Sequence, residues 1–121
     1  MVSLRVGSVV IDCNDMAAMV GFWRGALGYT VRAPADADFV LLRDPAGRVN
    51  VSLQLVPERR AGKNRLHLDL YTERQAEEVE RLVALGATVA PRTPQPGEDF
   101  VLLEDPEGNV FCVVDTAAQS A

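Results

Sequence analysis

Histidine and cysteine are scarce in this sequence of 121 residues, which contains one histidine and two cysteines. Any site that needs an imidazole must therefore use His67. Cys13 and Cys112 each lie in an apolar stretch, and we expect no secretion signal, because residues 1–5 (MVSLR) lack its basic flank and long apolar region. We therefore expect two buried, reduced thiols rather than a disulfide.

The sequence also lacks an excess of positive charge and any long apolar run. Its 12 Lys and Arg against 17 Asp and Glu give a net charge of −5, which provides no electrostatic basis for binding nucleic acid. No apolar run approaches the roughly 20 residues that cross a bilayer. We expect a cytoplasmic protein whose partners include neither nucleic acid nor a membrane, folded as a single domain over residues 1–121.

What the sequence does contain is an internal repeat. Residues 39–47 (FVLLRDPAG) match residues 100–108 (FVLLEDPEG) at seven of nine positions, with an offset of 61. Residues 26–31 match residues 84–89 with an offset of 58, in the same order along the chain. The sequence therefore predicts two copies of one unit, over residues 5–56 and 64–115.

Each copy has the pattern of a strand, a helix and three further strands. Asp15 is placed to cap a helix that ends at Gly28, and Thr72 with Gln75 forms a capping box for a helix that ends at Gly86. Each Asp-Pro-x-Gly motif is typical of a type I turn between the last two strands of its unit. Because one such unit leaves sheet edges unpaired, we expect an α+β fold in which two tandem βαβββ modules form a curved mixed sheet cup.

The cup is the expected position of a ligand. Alternation along residues 66–71 places three leucines on one face and His67 with Asp69 on the other, where a carboxylate can orient an imidazole or act with it as an acid–base pair. The same alternation directs Asp12 and Gln54 into the cup from the first unit. The proline-rich segment 91–99 is predicted to be a loop that covers the cup. We predict ligand contacts from His67, Asp69, Asp12, Gln54, Tyr71 and Cys112.

Three segments of the sequence resemble a known superfamily. They are DMAAMVGFWRGALG at residues 15–28, KNRLHLDL at residues 63–70 and DPEGNVFCVV at residues 105–114. With the doubled βαβββ order, they look like the glyoxalase/bleomycin-resistance/extradiol-dioxygenase proteins, the vicinal oxygen chelate superfamily, and more narrowly its glyoxalase-like domain branch. The resemblance covers residues 5–115 and implies the fold but not the activity, because this scaffold carries isomerases, dioxygenases, epimerases, thiol transferases and metal-free drug-binding proteins.

The resemblance also implies where a metal would be held. Metalloenzymes of the superfamily take one ligand from the first strand of each unit, usually His or Gln, and one from the last strand, usually Glu. The first-strand positions are Ser8 and His67, and the last-strand position of the second unit is Cys112. In the first unit, the last-strand position is one of Val51, Ser52 and Gln54.

This set lacks the carboxylates that hard six-coordinate ions favour, so we expect no cofactor. A divalent metal is the alternative, and the resemblance then implies the ligands His67, Cys112, Gln54 and Ser8. Zn²⁺, which accepts nitrogen, sulfur and oxygen ligands, is another alternative, held by His67, Cys112 and either Asp12 or Asp69.

The leading hypothesis is a metal-independent protein that binds a small organic molecule in the cup, as bleomycin-resistance-type members do. The alternative is an enzyme of the same superfamily, either a metal-dependent lyase, isomerase or dioxygenase, or a metal-free enzyme that uses His67 with Asp69. The resemblance further implies a homodimer, because members of the superfamily commonly pair edge to edge.

Overall fold

The computed structural model describes residues 2–32 and 36–117, and the chain divides between Arg59 and Arg60 into two compact units. The first unit contains β1 (Ser8–Cys13), α1 (Met16–Leu27), β2 (Thr30–Val31), β3 (Phe39–Arg43) and β4 (Asn50–Leu55). The second contains β5 (Asp69–Thr72), α2 (Gln75–Leu85), β6 (Thr88–Val89), β7 (Phe100–Glu104) and β8 (Val110–Asp115). The predicted βαβββ order is confirmed in both units.

Each unit has its own four-stranded mixed sheet, and the strand order is the same in both. The order is β1-β4-β3-β2 in the first unit and β5-β8-β7-β6 in the second. The first strand of each unit runs parallel to the last, and the other neighbouring strands are antiparallel. This is the α+β class that the repeat predicted. Across residues 2–32 and 36–117, neither helix has the length and apolar character needed to cross a membrane.

Local sequence determines both ends of α1. The Asp15 side chain accepts a hydrogen bond from the backbone N–H of Ala18 at 3.1 Å, as a helix N-cap does. Gly28 ends the helix with a φ of 69°, a left-handed conformation that glycine adopts without strain. The helix packs on β3 and β4. Its buried residues are Met19, Phe22, Trp23 and Ala26.

The start of α2 differs from the prediction. The Thr72 hydroxyl accepts a hydrogen bond from the backbone N–H of Arg74 at 3.0 Å, so it does not cap α2 in a capping box. The Gln75 side chain donates to the carbonyl oxygens of Asp99 at 3.1 Å and Val113 at 2.9 Å. The prediction of a capping box was therefore wrong. The Gln75 side chain forms hydrogen bonds with carbonyl groups of distant segments instead of with the backbone at the start of its own helix.

The first strand of the second unit is shorter than the alternation predicted. β5 begins at Asp69, so His67 precedes the strand instead of lying on it. Leu66, expected on the apolar face, is 86% exposed. The alternation argument is therefore valid only from Asp69 onward.

A buried aspartate anchors each Asp-Pro-x-Gly turn. Asp44 accepts hydrogen bonds from the backbone N–H of Ala46 at 2.9 Å and from Nε of Arg48 at 2.8 Å. Burial raises the pKa of Asp44, but these bonds, the Arg48 charge and a bond from Tyr29 outweigh that effect, so its pKa is lowered. Asp105 holds its own turn through the backbone N–H groups of two following residues. Both carboxylates are structural.

The two thiols behave as the sequence predicted. Cys13 and Cys112 are buried, and neither forms a disulfide. Cys13 lies at the end of β1, whereas Cys112 lies in the middle of β8. Only Cys112 is close to the cavity described below.

Candidate functional site

The second unit has a cavity of about 670 Å³ on its sheet. Side chains of β5, β7 and β8 that alternate to the same face form its floor. Strand pairing aligns them in three rows: Asp69, Cys112 and Leu102 in the middle, Tyr71, Val114 and Phe100 on one side, and Val110 with Glu104 on the other.

Three chemically active side chains meet at the middle row. Nε2 of His67 lies 3.1 Å from Oδ1 of Asp69, and the Cys112 sulfur lies within 4.8 Å of ligand atoms of both residues. Burial raises the pKa of Cys112, the charge and hydrogen bond of Asp69 raise it further, and the charge of Arg92 opposes them. At neutral pH Cys112 is therefore a thiol and not a thiolate nucleophile.

The structure brings together most of the predicted ligand contacts. Asp12 and Gln54, in the first unit, are paired in the register of β1 and β4, and both are exposed. They remain predicted contacts. The other four predicted residues line the cavity of the second unit: His67, Asp69, Tyr71 and Cys112.

Strand register resolves the last-strand position of the first unit. Cys112 pairs with Leu102, whereas Leu41, the repeat equivalent of Leu102, pairs with Ser52. The first unit has one more residue between its turn glycine and its last strand, which shifts the position from Val51 to Ser52. Gln54 lies two residues further along the strand.

The donor atoms at these positions do not suit a hard metal ion. The hydroxyl groups of Ser8 and Ser52 form a hydrogen bond with each other, with their oxygens 2.6 Å apart. Ser8 stands where the resemblance implies an imidazole or amide, and Ser52 stands where it implies a carboxylate. Two hydroxyl groups are poor ligands for a hard ion such as Mn²⁺, so such an ion does not fit these positions. In the second unit, ligand atoms of His67, Asp69 and Cys112 all lie within 4.8 Å of one another. Nitrogen, oxygen and sulfur donors together are the chemistry of a Zn²⁺ site.

Sequence reasoning missed Arg92 as a residue of the site. Its Nη1 and Nη2 donate to the two carboxylate oxygens of Glu98 at 2.9 and 2.7 Å. The guanidinium also lies over the ring of Phe100, 5.1 Å from its centroid. An arginine and a glutamate six residues apart in a proline-rich loop have no periodic pattern, so only the folded loop reveals the pair.

Two further cations, Arg60 and Lys63, line the cavity. Nη1 of Arg60 donates to the carbonyl oxygen of Gly62 at 2.8 Å, and its guanidinium lies against Gly108. A Cβ on Gly108 would stand 3.1 Å from Nε of Arg60, and the φ of this glycine is +85°. Glycine at this position therefore suits both the turn and the close approach of Arg60.

The fold and the cavity together define a tandem βαβββ protein with a ligand-sized site on the sheet of its second unit. Residues 8–114 match the family described as Glyoxalase-like domain, and the chain belongs to that family. The comparison with functionally curated proteins gave no match.

Several solved structures share this fold. A glyoxalase/bleomycin resistance protein/dioxygenase family enzyme from Burkholderia phytofirmans is 20% identical, with 88% of this chain and 94% of that chain covered and a TM-score of 0.73. A superfamily member from Sphaerobacter thermophilus is 24% identical, with 93% and 97% covered and a TM-score of 0.69.

A third structure contains bound groups. It is a mutant of the fosfomycin resistance protein FosX from Listeria monocytogenes, complexed with Mn(II) and 1S,2S-dihydroxypropylphosphonic acid. It is 15% identical, with 95% of this chain and 91% of that chain covered and a TM-score of 0.74. At these identities the likeness shows the fold alone.

Proposed function

We propose that this chain is a small-molecule-binding protein of the glyoxalase/bleomycin-resistance type, which holds its ligand on the sheet of the second unit without a resident metal. The observation that carries the proposal is the cavity of about 670 Å³, in which an apolar floor surrounds a polar cluster. Pockets for drug-sized ligands occupy about 300–1,000 Å³ and combine apolar walls with a few placed polar groups. Leu102, Phe100 and Val114 supply the apolar surface, and Asp69 supplies a charged acceptor.

The internal pairing of the cluster supports metal independence. Asp69 lies 3.1 Å from His67, and its negative charge favours the protonated form of the Cys112 thiol. A metal would have to displace the contact between His67 and Asp69 and the proton of Cys112 before it could bind all three side chains. The FosX structure with its bound phosphonic acid supports small-molecule binding as a use of this fold.

A calorimetric and thermal-shift screen of aromatic and polycyclic natural products tests the site. We expect hits whose binding is lost in Leu102→Trp, because the larger side chain fills the floor of the cavity. The matched control is Val83→Trp, which places the same indole on α2, where the Val83 side chain is 45% exposed. Hits that bind Leu102→Trp and the wild type equally would place the ligand elsewhere and contradict the proposal.

An enzyme is the second candidate, and the cluster of His67, Asp69 and Cys112 is the observation that favours it. These three residues would hold Zn²⁺, which polarises a substrate oxygen or lowers the pKa of a bound water. Without a metal, His67 beside Asp69 offers an acid–base pair instead.

Metal content separates the two candidates. We expect well below one equivalent of Zn, Ni, Fe or Mn in protein purified without chelators, because Ser8 and Cys112 stand where the resemblance implies a nitrogen ligand and a carboxylate. Elemental analysis by mass spectrometry measures this directly. One equivalent of metal in the wild type that disappears in His67→Ala would favour the enzyme.

Two further parts of the proposal concern the state of the protein. A homodimer is carried over from the family resemblance. A cytoplasmic location agrees with two buried cysteines that form no disulfide, as a reducing compartment would maintain.

A further inference from the structure

We propose that Arg92 determines specificity in this cavity, by selecting an aromatic ligand that carries an acidic group such as a carboxylate or sulfonate. This inference rests on the proposed small-molecule function and adds the chemical class of the ligand to it.

The guanidinium of Arg92 is held in one orientation before any ligand arrives. Glu98 binds both of its terminal nitrogens, and its central carbon Cζ lies over the ring of Phe100. The side chains of Arg92 and Glu98 are 32% and 14% exposed, so the pair is largely shielded from water. A cation fixed in this way loses little further conformational entropy when it binds an anion.

Backbone hydrogen bonds attach both ends of the loop that contains Arg92 to the strands of the sheet. The N–H of Ala90 donates to the carbonyl oxygen of Leu102 at 2.9 Å, and the N–H of Asp115 donates to that of Asp99 at 2.6 Å. The ion pair between Arg92 and Glu98 closes the segment between these two attachments. The position of Arg92 over the sheet is therefore set by the fold of the second unit.

Arg92 has donors left after it binds Glu98. A guanidinium carries five N–H groups, and the bonds to Glu98 leave from the end formed by Nη1 and Nη2. Within residues 36–117, no other acceptor is bonded to Arg92. The N–H groups that do not bind Glu98 can therefore donate to an anion in the cavity, as arginine does to carboxylates and related anions.

Among the charges that line the cavity, which include Arg60 and Lys63, Asp69 and Arg92 lie beside the apolar row and favour one direction for a ligand there. Asp69 places a negative charge in the middle row at the β5 side, whereas Arg92 lies over Phe100 at the β7 side. Tyr71, which is 72% exposed, ends the apolar row that begins at Phe100. An aromatic ring along this row places an acidic group at Arg92, away from the like charge of Asp69.

A pair of fluorescent probes tests the inference, because they share their aromatic rings and differ by one sulfonate. They are 8-anilino-1-naphthalenesulfonate and the uncharged N-phenyl-1-naphthylamine. In Arg92→Met we expect the affinity for the sulfonate probe to fall roughly tenfold or more, with less than about a twofold change for the neutral probe. The matched control is Arg81→Met, which removes an arginine paired with Glu78 on α2, outside the cavity.

Melting temperature and circular dichroism show whether each variant is folded. If Arg92→Met does not fold, Arg92→Lys replaces it in the test. Lysine keeps the charge but lacks the forked donors of arginine, so we expect a severalfold loss of affinity for the sulfonate probe and none for the neutral probe. An equal loss of both probes, or no loss of the sulfonate probe, would overturn the role of Arg92. In those cases the proposed function stands as long as Leu102→Trp abolishes binding of both probes. Wild-type protein that binds neither probe would contradict both.

Discussion

Asp69→Asn is expected to weaken the binding of ligands that carry a hydroxyl or amino donor by roughly 10- to 100-fold, with little change in melting temperature. The substitution keeps the shape of the side chain but removes its charge, and hydrogen bonds to charged groups contribute about 1.5–3 kcal/mol. The fold depends little on this residue, because its side chain is 47% exposed. Isothermal titration of the hits from the screen measures the effect.

The comparison needs a carboxylate that the ligand does not touch. Glu80→Gln makes the same chemical change on the exposed surface of α2, and we expect unchanged affinity. His67→Ala removes the neighbour of Asp69 and is expected to weaken binding as well. If both cavity variants bind every hit as tightly as the wild type, or lose stability instead of affinity, the pair supports only the fold.

Trp23→Ala is expected to lower the free energy of unfolding by about 3–5 kcal/mol, a large part of the roughly 5–15 kcal/mol typical of a domain. The indole is 1% exposed and packs edge to face against Phe22, with ring centroids 5.1 Å apart. Its removal therefore leaves a cavity in the core of the first unit. Denaturant unfolding followed by circular dichroism measures the change.

The neighbouring substitution Arg24→Ala serves as the control for Trp23→Ala. Arg24 is exposed on the same helix, so its truncation is expected to change stability by no more than about 0.5 kcal/mol. A small effect of Trp23→Ala would mean that this aromatic residue contributes little to the core.

Features that depend on neighbouring residues in the sequence were predictable. The repeat predicted two βαβββ units, and the family match and fold confirm the class. The Asp15 cap, the Gly28 end of α1 and the two Asp-Pro-x-Gly turns form as expected. In each case the hydrogen bond that defines the cap or turn joins residues at most four positions apart, so the local sequence contains the information that it requires.

Features that depend on contact between distant segments were not predictable in the same way. Gln75 has the spacing of a capping box, yet it binds carbonyl groups 24 and 38 residues away. One additional residue after the first turn moved the equivalent of Cys112 from Val51 to Ser52, which only the pairing of β3 with β4 reveals.

The candidate site shows the same division between sequence and tertiary structure. Alternation predicted that His67 and Asp69 share a face, although His67 precedes β5 in the structure, and the resemblance placed His67 and Cys112 at the ligand positions of the second unit. The thiol, imidazole and carboxylate meet only because β5 pairs with β8 in the register that aligns Asp69 with Cys112. No pattern in the sequence predicted that Arg92 lines the cavity. Its position is fixed by Glu98 and Phe100, whose contacts depend on how the loop folds over the sheet and not on spacing along the chain.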